Sequence, residues 1–128
     1  MTEAEVITII RAYLDGLFPK FCHCCGRRYA NLRDYLLNTK HLGDVMSFDA
    51  DAGDWQPEKP IGTLTFAQCP CGNTLALGSE GLPLPVHWRL LSWARAETCK
   101  RRQTPTQLLN YLREEICRQV LAEPPPSD

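Results

Sequence analysis

The sequence has little of what most recognisable activities require. Its formal net charge is −1 and its pI about 6.3, so no general pull toward nucleic acid or an anionic membrane follows. Only three histidines occur, His23, His41 and His87, and none opens an H-E-x-x-H pattern. No glycine-rich phosphate loop and no G-x-S-x-G nucleophile elbow is present. These absences predict a protein that is not an enzyme, with no catalytic residue to name. The apolar run Val6-Ile7-Thr8-Ile9-Ile10 is far shorter than the ~20 residues that cross a bilayer. Glu3 and Glu5 stand where a secretory leader would carry positive charge. A cytoplasmic location without membrane contact is the expectation.

Cysteine, by contrast, is abundant. There are seven in 128 residues. An odd number in a leaderless chain fits metal-bound thiols in a reducing compartment better than a disulfide framework. Four of them sit in two short pairs closed by glycine, Cys22-His23-Cys24-Cys25-Gly26 and Cys69-Pro70-Cys71-Gly72. A pair of thiolates one or two residues apart grips a metal ion from a single turn. The glycine behind it lets the backbone reach φ > 0 and aim amide N–H groups at the sulfurs. Two such pairs fill the tetrahedral shell of a structural Zn²⁺. The predicted ligands are therefore Cys22, Cys25, Cys69 and Cys71, and Zn²⁺ is the predicted cofactor. The first pair has the favoured C-x₂-C spacing, and the second, C-x-C, is one residue shorter.

His23 and Cys24 are open alternatives. Either can replace a neighbour, because Cys22-x-Cys24 would mirror Cys69-x-Cys71. The expected place for both is just outside the shell. Cys24, close to Arg27 and Arg28, is then a candidate redox-sensitive thiol, since neighbouring cations lower a thiol pKa. Cys99 and Cys117 are expected to be packing residues.

The remaining pattern predicts an α+β fold in a single domain over 1–128. Thr2-x-x-Glu5 is a capping box before Val6, Ile9, Ile10, Tyr13, Leu14 and Leu17, which predicts an amphipathic N-terminal helix over about 3–18. That helix covers the metal module or packs on a second copy of itself. The metal module spans 20–78. Asn31 caps an expected helix over about 32–42, with Gly43 as its C′ residue. Three short strands are expected at Val45–Phe48, Thr63–Ala67 and Thr74–Leu77, with the second cysteine pair between the last two. The acidic stretch from Asp49 to Pro60 lacks the twelfth-position glutamate of a calcium loop and is read as solvated.

An extended connector from Ser79 leads to a helical part ending at 122. One helix is expected over 86–100. A second opens with the capping box Thr104-Pro105-Thr106-Gln107 and carries Leu108, Leu109, Leu112, Ile116 and Val120 on one face. Residues 123–128 are expected to form a disordered tail.

Two cysteine turns on a small three-stranded antiparallel sheet resemble the zinc-ribbon class. The resemblance covers about residues 20–78 and implies one bound zinc and a binding role, as such modules serve in transcription, translation and signalling. The short second turn departs from that class. Cys22-x-x-Cys25-Gly26-x-x-Tyr29 with Cys69-Pro70-Cys71-Gly72 also resembles rubredoxin, an iron–tetrathiolate electron carrier, although its second turn has one residue more.

The expected function is that of a bacterial-type zinc-binding adaptor or regulatory module with a protein partner, a homodimer being one form of it. Trp88 and Trp93, five apart on one helix, cannot face the same core, which makes a tryptophan a candidate interface anchor. The alternatives are a thiol redox sensor, a rubredoxin-like iron electron carrier and, in another class, a nucleic-acid-binding transcription regulator. The last would use Arg95, Lys100, Arg101 and Arg102, with Arg27 and Arg28.

Overall fold

A computed structural model describes residues 1–124. The fold is α+β, as the pattern predicts. Helix α1 spans Glu3–Asp15, and the two-residue strands β1 and β2 follow at Lys20–Phe21 and Arg28–Tyr29. Next come α2 (Leu32–Asn38), β3 (Lys40–Ser47) and the short α3 (Phe48–Asp51). Strands β4 (Thr63–Gln68) and β5 (Thr74–Gly78) precede the two long helices, α4 (Leu84–Arg101) and α5 (Pro105–Ala122). Strands β1 and β2 form one antiparallel pair, and β3-β4-β5 form a three-stranded antiparallel sheet in chain order.

Helix boundaries follow local chemistry. Thr2 and Glu5 exchange backbone and side-chain hydrogen bonds at the start of α1, and Thr104 and Gln107 do the same at the start of α5. Each box satisfies two amides that the first turn would leave open. Along α5, Leu108, Leu112, Ile116 and Val120 recur every four residues, and all four are buried. They meet Val6 and Ile7 of α1, Leu32 and Tyr35 of α2, Leu75 and Leu77 of β5, and Trp93 of α4. One continuous core thus lies between the helices and the sheet. Full burial of a leucine-sized side chain is worth roughly 1.5–3 kcal/mol, so this stripe is a main source of stability.

Helix α1 packs on this body rather than on the metal turns. Its Glu3 accepts from Arg101 (2.7 Å) and Tyr111 (3.1 Å), and Tyr13 Oη accepts from the Gly81 amide at 3.0 Å. It ends at Asp15, short of the expected residue 18. The far end of α5 is closed from outside. Arg33 Nη1 donates to the carbonyls of Val120, Leu121 and Glu123, and Arg11 pairs with the Glu123 carboxylate. Glu123, expected in a loose tail, is therefore tied down. Residues 125–128 of that tail lie outside the described residues.

Several expectations need correction. The helix predicted over 32–42 stops at Asn38, and Lys40–Ser47 is strand. His41 and Leu42 pair with Ala67 and Phe66, and this non-local ladder outweighs local helix preference. Gly43, at φ +66°, therefore serves an irregularity in β3 between Leu42 and Met46 instead of a helix end. Phe48, predicted as strand, opens α3, whose first turn is capped by Ser47 Oγ. Asp49, predicted as solvated, is buried. Its carboxylate accepts from the amides of Ile61 (3.1 Å) and Gly62 (2.9 Å), pinning both ends of the 49–62 loop. Helix α4 begins at Leu84, two residues earlier than expected, with Pro85 in its first turn, where a missing N–H costs nothing.

Candidate metal centre

Two hairpin tips build the site. In the first, between β1 and β2, the Cys22 amide donates to Arg27 O at 2.9 Å and the Gly26 amide to Cys22 O at 2.8 Å. In the second, between β4 and β5, the Cys69 amide donates to Asn73 O and the Gly72 amide to Cys69 O, both at 2.8 Å. The plan is the same, with one residue fewer in the second tip. That is how C-x-C does the work of C-x₂-C. Gly26 and Gly72 sit at φ +77° and +96°, where a side chain would strain the backbone although open space surrounds both.

The four predicted sulfurs converge. Cys22 Sγ lies 3.7 Å from Cys71 Sγ, Cys25 Sγ lies 3.7 Å from Cys69 Sγ, and all four are within 4.8 Å of one another. A tetrahedron with zinc–sulfur bonds of about 2.3 Å has edges of about 3.8 Å. Two edges, each joining one turn to the other, already have that length. Within each turn the leading cysteine, Cys22 or Cys69, is buried, and its partner is exposed. Four cysteine donors suit a soft or borderline divalent metal and leave no open coordination position.

The surroundings favour negative sulfur. Tyr29 Oη donates to Cys69 Sγ at 3.0 Å, and Asn73 Nδ2 approaches Cys22 Sγ at 3.4 Å. The Cys25 amide and the Asn73 side chain bring the Cys22 thiol down to about 6. The Tyr29 hydroxyl, followed by the Cys71 amide, lowers Cys69. At Cys71 the Asn73 amide favours the thiolate, but desolvation and the crowding of three other sulfurs overcome it and push the group up to about 12. Cys25 is raised in the same way against the help of the Arg27 amide. Without a cation, the cluster favours the thiolate at Cys22 and Cys69 and the thiol at Cys25 and Cys71. A divalent ion removes that conflict. Tyr29 is itself fully buried, with the Arg27 guanidinium over its ring and Tyr35 edge-on at 5.6 Å.

Other candidates are placed elsewhere. His23 and Cys24 are exposed and outside the sulfur cluster. Cys99 is exposed on α4, not packed as expected, and Cys117 is half-buried. Arg101 is committed to Glu3 and Glu97, both at 2.7 Å, and lies over the rings of Trp93 and Tyr111. Trp93 is buried, whereas Trp88 is 39% exposed and donates its Nε1 proton to Pro57 O at 2.8 Å. Tyr29 and Asn73 were not foreseen as sulfur partners. Their only signal is position, three residues past Gly26 and directly past Gly72.

No family model, curated protein or solved structure matches the chain. The likeness to zinc ribbons thus rests on the two turns and the sheet and identifies no family. Among the described residues no helix is long and apolar enough to cross a membrane.

Proposed function

We propose that this chain is a cytoplasmic binding module, folded around one structural zinc and acting through a protein partner without catalysis of its own. The observation that carries the reading is the pair of 3.7 Å sulfur–sulfur edges joining the two turns. Cys22, Cys25, Cys69 and Cys71 would hold the ion as thiolates. The bound ion supplies charge neutralisation and a cross-link between two distant hairpins. Tyr29 and Asn73 orient the sulfurs, and the glycine amides fix the turns. A closed four-sulfur shell gives substrate no access to the metal, which is why the role is structural.

A protein partner is favoured over nucleic acid for two reasons. Arg101, central to the basic cluster of α4, is already paired. Trp88, Phe48 and Ile61 leave apolar surface exposed around the loop that Trp88 holds through Pro57.

The test is elemental analysis of the purified protein beside its visible spectrum. One colourless zinc per chain is the expected result. Stoichiometric iron with a red colour would transfer the reading to electron transfer. Absence of any bound metal, with all seven thiols reactive, would remove its basis.

A further inference from the structure

Protein interiors pack to crystal-like density, with few voids larger than a water molecule. Here a cavity of about 160 Å³ lies between the three-stranded sheet and the helices α1, α4 and α5. An apolar hole of roughly 150 Å³ is enough to take up benzene. The walls are mainly aliphatic, with Val6, Leu14, Leu77, Leu90 and Leu112 among them. Strand register defines two ends. Ser47 and Thr63, paired across β3 and β4, line one end, and His41 and Ala67 line the other.

Two polar atoms on this wall are buried and have no partner, Tyr35 Oη and His87 Nε2. Their residues are 3% and 4% exposed, so surface water does not reach them. Buried polar groups are nearly always hydrogen-bonded, so an unpaired Tyr35 Oη on the wall of a cavity marks a place for a ligand atom. Tyr35 belongs to the His41 end, since its carbonyl accepts from Thr39 just before β3 begins. His87 follows the turn at Ser79–Leu82 and belongs to the Ser47 end.

Charge distinguishes the two ends. Arg113 of α5 also lines the cavity, and among the described residues it makes no ion pair. Helices α2 and α5, which carry Tyr35 and Arg113, pack against each other, and the Arg113 charge is felt at Tyr35, His41 and Cys117 alike. A half-buried guanidinium without a carboxylate, on the wall that also carries a hydroxyl without an acceptor, offers charge-assisted donors to one anionic group. We propose that the cavity binds a small carboxylic acid with an apolar body, its carboxylate held by Tyr35 Oη and Arg113. The apolar body then lies along the aliphatic wall formed by Val6, Leu14, Leu77 and Leu90. This site is separate from the metal centre and does not depend on the function proposed above.

The experiment titrates the metal-loaded full chain with octanoate and, as a neutral match of equal chain length, with 1-octanol. Heat or amide chemical shifts report binding. Saturable one-to-one uptake of octanoate, about tenfold or more tighter than 1-octanol, is expected. Tyr35→Phe and Arg113→Gln should each weaken octanoate by about tenfold or more and leave 1-octanol nearly unchanged. If Tyr35→Phe fails to fold, Arg113→Gln at its half-buried position decides alone. No saturable uptake of octanoate, equal affinity for 1-octanol, or undiminished octanoate binding by Arg113→Gln would each overturn the proposal.

Discussion

The two ends of this molecule are held together by different physics. The helical body buries a continuous set of aliphatic and aromatic side chains from α1, α2, β4, β5, α4 and α5, and α1 and α5 carry capping boxes. The metal end has two strands of two residues each and two hairpin tips. Its deeply buried side chains are few: Cys22, Cys69 and Tyr29. Strand pairs this short are not stable alone in water. One end supplies most of the core, and the other adds only these three side chains to it and brings four sulfurs together. Metal should therefore matter unequally along the chain.

Removing the metal breaks the comparison most severely. Binding free energies in small zinc modules are roughly 10–16 kcal/mol, against a usual net stability of about 5–15 kcal/mol. Chelation, or Cys69→Ala, should abolish metal retention and lower the melting temperature by tens of degrees. Hydrogen exchange should locate the damage: amides of residues 20–30 and 68–74 lose protection before those of α5. Uniform loss of protection along the chain would instead make the two ends one cooperative unit.

Leu108→Ala attacks the body alone. Leu108 is fully buried at the centre of the α5 stripe, so truncation should cost roughly 2–5 kcal/mol. Denaturant unfolding measures that loss, and metal content per folded chain should not change.

Tyr29→Phe tests the join between the ends, because Tyr29 is both a core side chain and the donor to Cys69. Loss of an outer hydrogen bond to a ligand typically lowers metal affinity by about 10–100-fold. Competition with a chelator reads this directly. A change below twofold would reduce the hydroxyl to a bystander. The same titration should depend on pH in one direction. Cys25 and Cys71, whose thiol pKa values the metal-free cluster raises, release protons on binding, so affinity rises with pH. Calorimetry in buffers of different ionisation enthalpy counts those protons.

What the sequence revealed follows the same division by range. The cysteine turns and capping boxes are written within five residues each, and all of them form where the pattern places them. Lys40–Ser47 reads locally as the end of a helix, and only its pairing with β4 makes it a strand. Asp49 looks like loop acid because the amides that bury it are twelve and thirteen residues away. Nothing near Arg33 in the sequence marks its role, yet it closes a helix that ends almost ninety residues later. The second turn is one residue shorter than the favoured spacing, and it forms by dropping one residue from the same hydrogen-bonded plan. Contacts made at long range leave no local trace. The cavity with its two unpartnered polar atoms belongs to that class, since no stretch of the chain encodes a void.

The smallest effect lies where the C-terminal end of the body is clamped. Arg11 and Arg33 together hold Glu123, whose carboxylate the Arg11 hydrogen bond keeps below the usual range. A lowered folded-state pKa means that the contact stabilises above the ordinary glutamate value of about 4.3 and is lost as pH falls through the folded value. The carboxylate is well exposed and open to screening, so Glu123→Gln should leave the melting temperature within error at neutral pH. The last turn of α5 is where it should register, as faster amide exchange that no longer responds to mild acid. Arg33 keeps its hold on the carbonyls of Val120 and Leu121 in that variant. If the whole of α5 loosens, the clamp is worth more than an exposed pair, and the body depends on its edges more than its apolar core implies.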